Sequence, residues 1–394
     1  MGSVSNQMIQ IIEALGPFAS FGTDPALWEA LRRPEACDFM FGNPHEPAPQ
    51  AYVDALVRGA QPTGKNHYAY TQDLDEATSA IAAGLRERFE MPFEQRDVHM
   101  TNGNFSALAV VLRTIVDVGD EVIFISPPWF FYETLIVASG ATPVRVYADS
   151  DNGFALDLEA IEAAITPRTR AIIVNSPHNP SGRIYARSVL DELATVLETA
   201  SARNDRRIFL VSDEAYNRIV FEPHTFTTPL AHYPHSFLLY TYAKTLLSPG
   251  SRLGYLATPP GMPEADELRM ALEVALITYG WAYPVSLLQH AIPDLETMRP
   301  DLGTLQRRRD ILVTTLREQG YDAMEPEGTF YILVRSPLAD DERFCEILRS
   351  HDVFVLPGRM FETPGWFRIS ITANDDMVER ALPGFGKAIA EVAE

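Results

Sequence analysis

From about residue 70 to about residue 285, short runs rich in Val, Ile, Phe and Leu alternate with stretches whose apolar residues recur at helical spacing, and this alternation constrains the fold more than any other feature. Runs that are apolar throughout suit strands buried on both faces, and strands interleaved with helices predict an α/β chain whose mostly parallel sheet is covered by helices. The expected strands are Glu121–Ser126, Arg170–Asn175, Ile208–Ser212, Phe237–Thr241 and Leu253–Ala257. Leu74, Ile81 and Leu85 fall on one helical face and Leu190, Leu193 and Leu197 on another, so both segments should cover the sheet.

After about residue 286 the pattern changes to a long helix, with Leu305, Leu312 and Leu316 on one face and Gly320 as its stop, followed by strands and further helices. The expected organisation is an N-terminal segment (1–44) packing with the small domain, a large domain (45–285) and a smaller α+β C-terminal domain (286–394). A net charge of −21, scattered along the chain, opposes binding to phosphate backbones and anionic membrane surfaces, so no nucleic acid or membrane partner is expected. Cys37 and Cys345 lie far apart without CxxC or Cys/His spacing, which predicts neither a disulfide framework nor a metal site and suits a reducing cytoplasm. The first residues show no basic leader before an apolar stretch, and Asn6 spoils the myristoylation pattern that Gly2 begins, so neither export nor an anchor is expected. The Arg307–Arg309 run reads as a solvated, ion-paired helix face rather than an anion site.

Three segments carry chemistry. Asn175-Ser176-Pro177-His178-Asn179-Pro180-Ser181-Gly182 directly follows an expected strand, where α/β sheets bind ligands, and an Asn amide there can donate to a phenolate or carboxylate oxygen. Asp213-Glu214-Ala215-Tyr216 ends the next strand with an acid and a phenol three apart; the acid can cap a helix or pair with a cationic ring nitrogen. Thr241-Tyr242-Ala243-Lys244 ends a third strand, and Arg252 follows Lys244 by eight residues. Most lysines are solvated surface charges, but one that follows an apolar strand can be a usable amine, and the rigid guanidinium fork suits a phosphate.

Taken together, in order, spacing and strand context, these segments resemble the class I/II aminotransferases of fold-type I, in their aspartate-aminotransferase branch. The resemblance implies pyridoxal 5′-phosphate (PLP) as cofactor, with Lys244 carrying it as a Schiff base, Asp213 pairing with the pyridine nitrogen, and Tyr216 and Asn179 contacting its O3′ oxygen. By the same resemblance Arg252 and the Thr241 hydroxyl hold the cofactor phosphate. Thr101-Asn102-Gly103-Asn104-Phe105 matches the family's turn into a phosphate-binding helix, so Gly103, Asn104 and Phe105 are expected to bind through backbone amides, the side chains of the last two departing from the family pattern. Trp129, in Ser126-Pro127-Pro128-Trp129, matches the aromatic residue that stacks on the pyridine ring, and Arg368, in Phe367-Arg368-Ile369-Ser370, the arginine that grips the substrate α-carboxylate. Gly42 matches the glycine whose amide meets that carboxylate. Tyr68, in Asn66-His67-Tyr68, matches the tyrosine that reaches the neighbouring subunit's phosphate, which implies a homodimer with shared active sites.

The activity implied is amino transfer from an L-amino acid to a 2-oxo acid by a ping-pong mechanism, with Lys244, Asp213 and Tyr216 as catalytic residues and no metal. A fold-type I enzyme of another reaction type, performing elimination, replacement or cyclisation, is the alternative, motivated by Asp73 where the family has Gly and by the unusual Tyr279-Gly280-Trp281-Ala282-Tyr283-Pro284 segment. A non-catalytic ligand sensor of related fold is disfavoured by the acidic charge and the lack of a basic helix-turn-helix extension. The 279–284 segment has aromatic residues and no arginine, which favours an aromatic or apolar donor side chain without identifying the donor. His45, Glu46 and His178 read as ordinary loop residues.

Overall fold

The computed structural model describes residues 3–21, 23–282 and 284–393. Its centre is a seven-stranded sheet of β1 (Val98–Thr101), β2 (Glu121–Ser126), β3 (Thr142–Tyr147), β4 (Thr169–Asn175), β5 (Phe209–Asp213), β6 (Ser236–Thr241) and β7 (Gly254–Ala257). The spatial order is β1-β7-β6-β5-β4-β2-β3. β7 pairs antiparallel with β1 and β6, and every other pairing is parallel. The register sets Asn175 beside Asp213 and Asp213 beside Leu239, so the C-terminal ends of β4, β5 and β6 form one rim.

The strands are apolar on both faces because helices cover both. Phe124, Ile173, Val211 and Leu239 pack with the helices Asn104–Ile115 and Ala265–Thr278, whereas Ile123, Ile172, Val174 and Leu210 pack with Leu158–Ala164 and Arg187–Arg203. Each such fully buried aliphatic or aromatic side chain stabilises the fold by about 1.5–3 kcal/mol relative to exposure. Leu193 and Leu197 are among them, as the helical spacing predicts, and Ile81 and Leu85 fill a third cluster with Leu238 and Tyr240.

A second unit packs the helix Leu302–Glu318 and the helix Asp375–Ala393 on a three-stranded antiparallel sheet ordered Leu356–Pro357, Trp366–Ser370, Tyr331–Arg335. Leu305, Leu312 and Leu316 meet Ile332, Phe367 and Phe385 in its core. Arg307, Arg308 and Arg309 are ion-paired to Asp375, Glu46 and Asp310, but the face is not solvated throughout: Arg308 and Arg309 are buried. The N-terminal residues divide between the two units. The helix Asn6–Ala14 lies against the helix Tyr132–Ser139, while Leu27, Ala36 and Met40 cluster with Phe354, and Cys37–Asp38 pairs in parallel with Val353–Phe354. The helix Ser286–Leu295, grouped with the second unit by the sequence, packs through Leu288, Ala291 and Ile292 into the cluster of Tyr52, Ala55, Ile81 and Leu85 beside the large sheet.

That helix continues into Glu296, which closes a buried charge cluster under the sheet rim. Its carboxylate accepts from both Arg218 (2.7 and 2.8 Å) and Arg88 (2.6 Å) and from the Tyr242 hydroxyl (2.6 Å). Burial pushes the Glu296 carboxyl up, but Arg218 and Arg88 outweigh it and hold the group below its ordinary value. Removing the one carboxylate from two buried guanidiniums leaves both uncompensated, so Glu296→Ala should cost about 3–5 kcal/mol of stability. Urea denaturation at fixed protein concentration measures it; a loss under about 1 kcal/mol would mean water reaches the arginines.

Candidate active site

The rim of β4, β5 and β6 opens into a cavity of about 270 Å³ that also meets the second unit. Lys244, Asp213, Tyr216, Asn179, Thr241, Arg252, Asn104, Phe105, Trp129, Gly42 and Arg368, chosen from segments spread over most of the sequence, all line it. Gly103 adjoins it: a Cβ there would lie 3.3 Å from Arg252 Nη2 and 3.6 Å from Thr241 Oγ1. Tyr68 is the exception. It is exposed, donates to the Ala60 carbonyl and lines a separate surface hollow with Thr71, Ala282 and Pro284.

Asp213 ends β5 and is fully enclosed. Its Oδ1 accepts from Asn104 Nδ2 (2.6 Å) and from the Ala215 amide (3.2 Å), and its Oδ2 from the Tyr132 hydroxyl (2.6 Å). Burial raises the proton affinity of this carboxyl above the ordinary value, and the three donors and the Lys244 charge only partly oppose the rise. Among the described residues it has no ion-pair partner within hydrogen-bonding reach, so an external N–H cation would meet a carboxylate already aimed at it. The Asn104 side chain, which departs from the family pattern and whose backbone alone is expected to bind, is thus one of the groups that orient Asp213.

Lys244 sits in the short helix Tyr242–Thr245, which Thr241 caps by accepting from the Ala243 amide at 3.3 Å. Its Nζ lies 5.8 Å from the Tyr216 ring centroid and 5.6 Å from that of Phe330. Arg252 is held at φ 46° and donates to the Pro249 carbonyl at 3.0 Å, so its guanidinium turns back over Gly103. Gly103, at φ 86°, begins the helix Asn104–Ile115, whose first amides are free to hold an anion. Glycine amides, a hydroxyl and a guanidinium around one point suit a phosphate.

Arg368 is buried. Nη1 donates to Asn179 Oδ1 and Nη2 to the Met40 carbonyl, both at 3.0 Å, and its guanidinium carbon lies 3.8 Å from the Tyr331 ring centroid. Nε has no partner among the described residues, so this fork still has donors to give. Asn179 is itself fixed by its amide donating to Asn175 Oδ1 (2.7 Å), while Asn175 Nδ2 donates to the Asp213 carbonyl (2.8 Å). Gly42 can be nothing larger, since a Cβ would lie 2.7 Å from Phe330 Cζ and 3.0 Å from the Tyr331 hydroxyl.

Tyr331 is the site residue that the sequence leaves without a role. Burial pushes its phenol up, yet Arg368 and Lys244 outweigh that and lower it, whereas burial and the nearby Asp213 charge keep the proton on its hydrogen-bond partner Tyr216. The signal lies in register: Arg368 pairs with Leu333, two residues from Tyr331 on the same strand, so Tyr331 and Arg368 share a sheet face.

Other flagged residues fall elsewhere. Asp73 Oδ1 accepts from the Met100 amide at 2.9 Å, and burial drives its carboxyl up to about 7. It thus braces β1 and does not line the cavity. His178 is buried against Ser181 Oγ (2.7 Å) and pushed down to about 4 by burial, a neutral fastener of its loop. Glu46 pairs with Arg308, and His45 lies 4.0 Å from Asp38. Trp281 packs against the sheet core and Arg113 covers the Tyr279 ring, while Tyr283 lies outside the described residues.

Comparison with known proteins agrees with this geometry. A model of the aminotransferase class I and II family matches residues 37–385. The aspartate/prephenate aminotransferase of Thermus thermophilus is 30% identical over 389 residues, covering 96% of this chain and 97% of that protein. The aspartate aminotransferase of Thermotoga maritima is 28% identical over 349 residues, 86% of this chain and 88% of that one. A crystal structure of an aminotransferase from Eubacterium rectale superposes with a TM-score of 0.87 at 30% identity, covering 100% of this chain and 97% of that chain.

Proposed function

The chain belongs to the class I and II aminotransferases, which depend on pyridoxal 5′-phosphate, and from that premise we propose that the cavity at the sheet rim transfers amino groups with Lys244 as its catalytic amine. The fit of the cofactor rests on the cradle of Gly103, Thr241 and Arg252 and on Asp213, a buried carboxylate lacking a cation. When bound, the cofactor supplies an electron sink for the substrate Cα.

The residues then divide the work. Arg252, Thr241 and the amides from Gly103 to Phe105 would hold the phosphate, and Trp129 would stack on the ring. Asp213 would keep the ring nitrogen protonated. Asn179, whose Oδ1 is taken by Arg368, presents its Nδ2, and Tyr216 its hydroxyl, to the ring oxygen. Arg368, with Nε still unpaired, and the Gly42 amide hold the α-carboxylate and so fix the Cα hydrogen toward Lys244. Lys244, whose side chain reaches the same cavity, would take that proton as general base and give it back as general acid.

We also assign a homodimer, with Tyr68 serving the partner's phosphate. It is supported by large apolar side chains left exposed in one chain, among them Val57, Tyr68, Tyr70, Met270, Val274 and Val285. A cytoplasmic location fits two buried, unpaired cysteines. Among the described residues no helix is long and apolar enough to cross a membrane.

The single observation that carries the reading is the convergence of Lys244, Asp213, Arg252 and Arg368 on one cavity. Initial rates with varied donor and 2-oxo acid test it, aspartate and prephenate being trial substrates from the relatives' names. Parallel double-reciprocal lines are expected for two half-reactions, and intersecting lines would contradict them. The elimination or cyclisation alternative is not favoured, because the relatives are named aminotransferases and Asp73 is occupied in bracing a strand; ammonia as the nitrogen product would restore it.

A further inference from the structure

One stretch of the cavity lining is a cluster of aromatic rings. Phe105 lies 4.7 Å from Phe131 and 4.8 Å from Trp129, and Phe130 lies 4.9 Å from Phe131, mostly in edge or tilted arrangements. All four line the cavity. From outside, Phe18 of the N-terminal helix Pro17–Phe21 stacks on Phe130 at 4.1 Å and 16° and meets Phe131 edge-on at 5.5 Å. These rings are only half-buried in the chain as it stands, so an apolar group seated among them would remove further ring surface from water.

Charge is distributed against a second carboxylate. Among the described residues lining the cavity the cations are Lys244, Arg252 and Arg368, and each has a role in the reading above. Two others, Arg145 and Arg359, line a neighbouring hollow that shares Trp129 and Phe130 with this cavity. Arg145 is committed to Glu133 and Glu362, and Arg359 to Asp340 and Glu342, while Glu13 adds another acid to that hollow. A distal carboxylate would therefore be desolvated against negative ring faces with acids behind them.

We propose that the amino acid substrate carries an aromatic or large apolar side chain, received by Phe105, Phe130 and Phe131 with Phe18 as the outer wall. This rests on the transaminase reading of Lys244 and Arg368. Half-reactions of the PLP-loaded enzyme with phenylalanine, alanine and aspartate, followed by loss of the visible cofactor band and its return on adding a 2-oxo acid, test it. Phenylalanine should exceed aspartate by roughly 100-fold or more in the apparent second-order rate constant, the scale of leaving one buried charge unpaired. Reversible conversion in which aspartate matches or exceeds phenylalanine overturns the proposal and leaves the transaminase reading intact. Ammonia release with no reversible conversion by any of the three overturns that reading and the proposal with it. Phe18→Ala and Phe131→Leu place the side chain within the site: each should lower the phenylalanine-to-alanine ratio about 10-fold, the scale of lost ring contact. Ratios unchanged in both variants would overturn the assignment of this wall.

Discussion

Replacing Lys244 by alanine is expected to lower kcat/KM for amino transfer by about 10⁴-fold or more, because both the covalent hold on the cofactor and the proton-transferring amine are lost at once. The chain offers no substitute: it has three lysines, and Lys65 and Lys387 are exposed, away from the cavity. Folding should survive. The Lys244 side chain makes no hydrogen bond or ion pair among the described residues, and its helix is held by the Thr241 cap and by Tyr242 on Glu296. The variant should still take up the cofactor, since the phosphate cradle and Asp213 are untouched, and a small primary amine in the buffer should restore part of the rate. Activity within about 10-fold of the parent would remove Lys244 from the mechanism.

Asp213→Asn should cost on the order of 10³ in kcat, with much less effect on stability. The substitution keeps the side chain's size and removes the charge that holds a proton on the ring nitrogen, each pKa unit of lost bias being about 1.4 kcal/mol. Asn104, Tyr132 and the Ala215 amide already point their donors at this position, and they can meet one amide oxygen less well than a carboxylate. The pH profile separates loss of charge from misplacement. A ring nitrogen without its carboxylate gives up its proton as pH rises, so the variant's rate should fall through neutrality where the parent's stays level. A uniformly depressed profile would point to misplacement.

The sheet was legible where its strands are buried on both faces. β2, β4, β5, β6 and β7 appear as short apolar runs within one residue of their observed limits, because helices cover both faces of the sheet. β1 and β3 lie at the two edges, and their polar residues, His99 and Thr101 in one and Thr142 and Arg145 in the other, together with Pro143, hide them from that pattern. The grouping of Ser286–Leu295 with the second unit followed the change of pattern near Pro284, whereas the helix is held by Tyr52, Ile81 and Leu85, far away in sequence. For the same reason strand-end residues such as Asp213 and Lys244 could be picked out locally, while Tyr331 over Arg368, the Asn104 amide on Asp213 and Phe18 on Phe130 could not. Those pairings depend on how remote segments meet.

Borohydride reduction of the PLP-loaded protein followed by peptide mapping tests the central claim most directly. With three lysines in the chain, each on a different segment, the assignment is unambiguous. The account predicts one pyridoxyl group per chain, on Lys244, and none after prior incubation with an amino donor that completes the half-reaction. A label on Lys65 or Lys387, or no label in a protein whose cofactor is demonstrably bound, would contradict it.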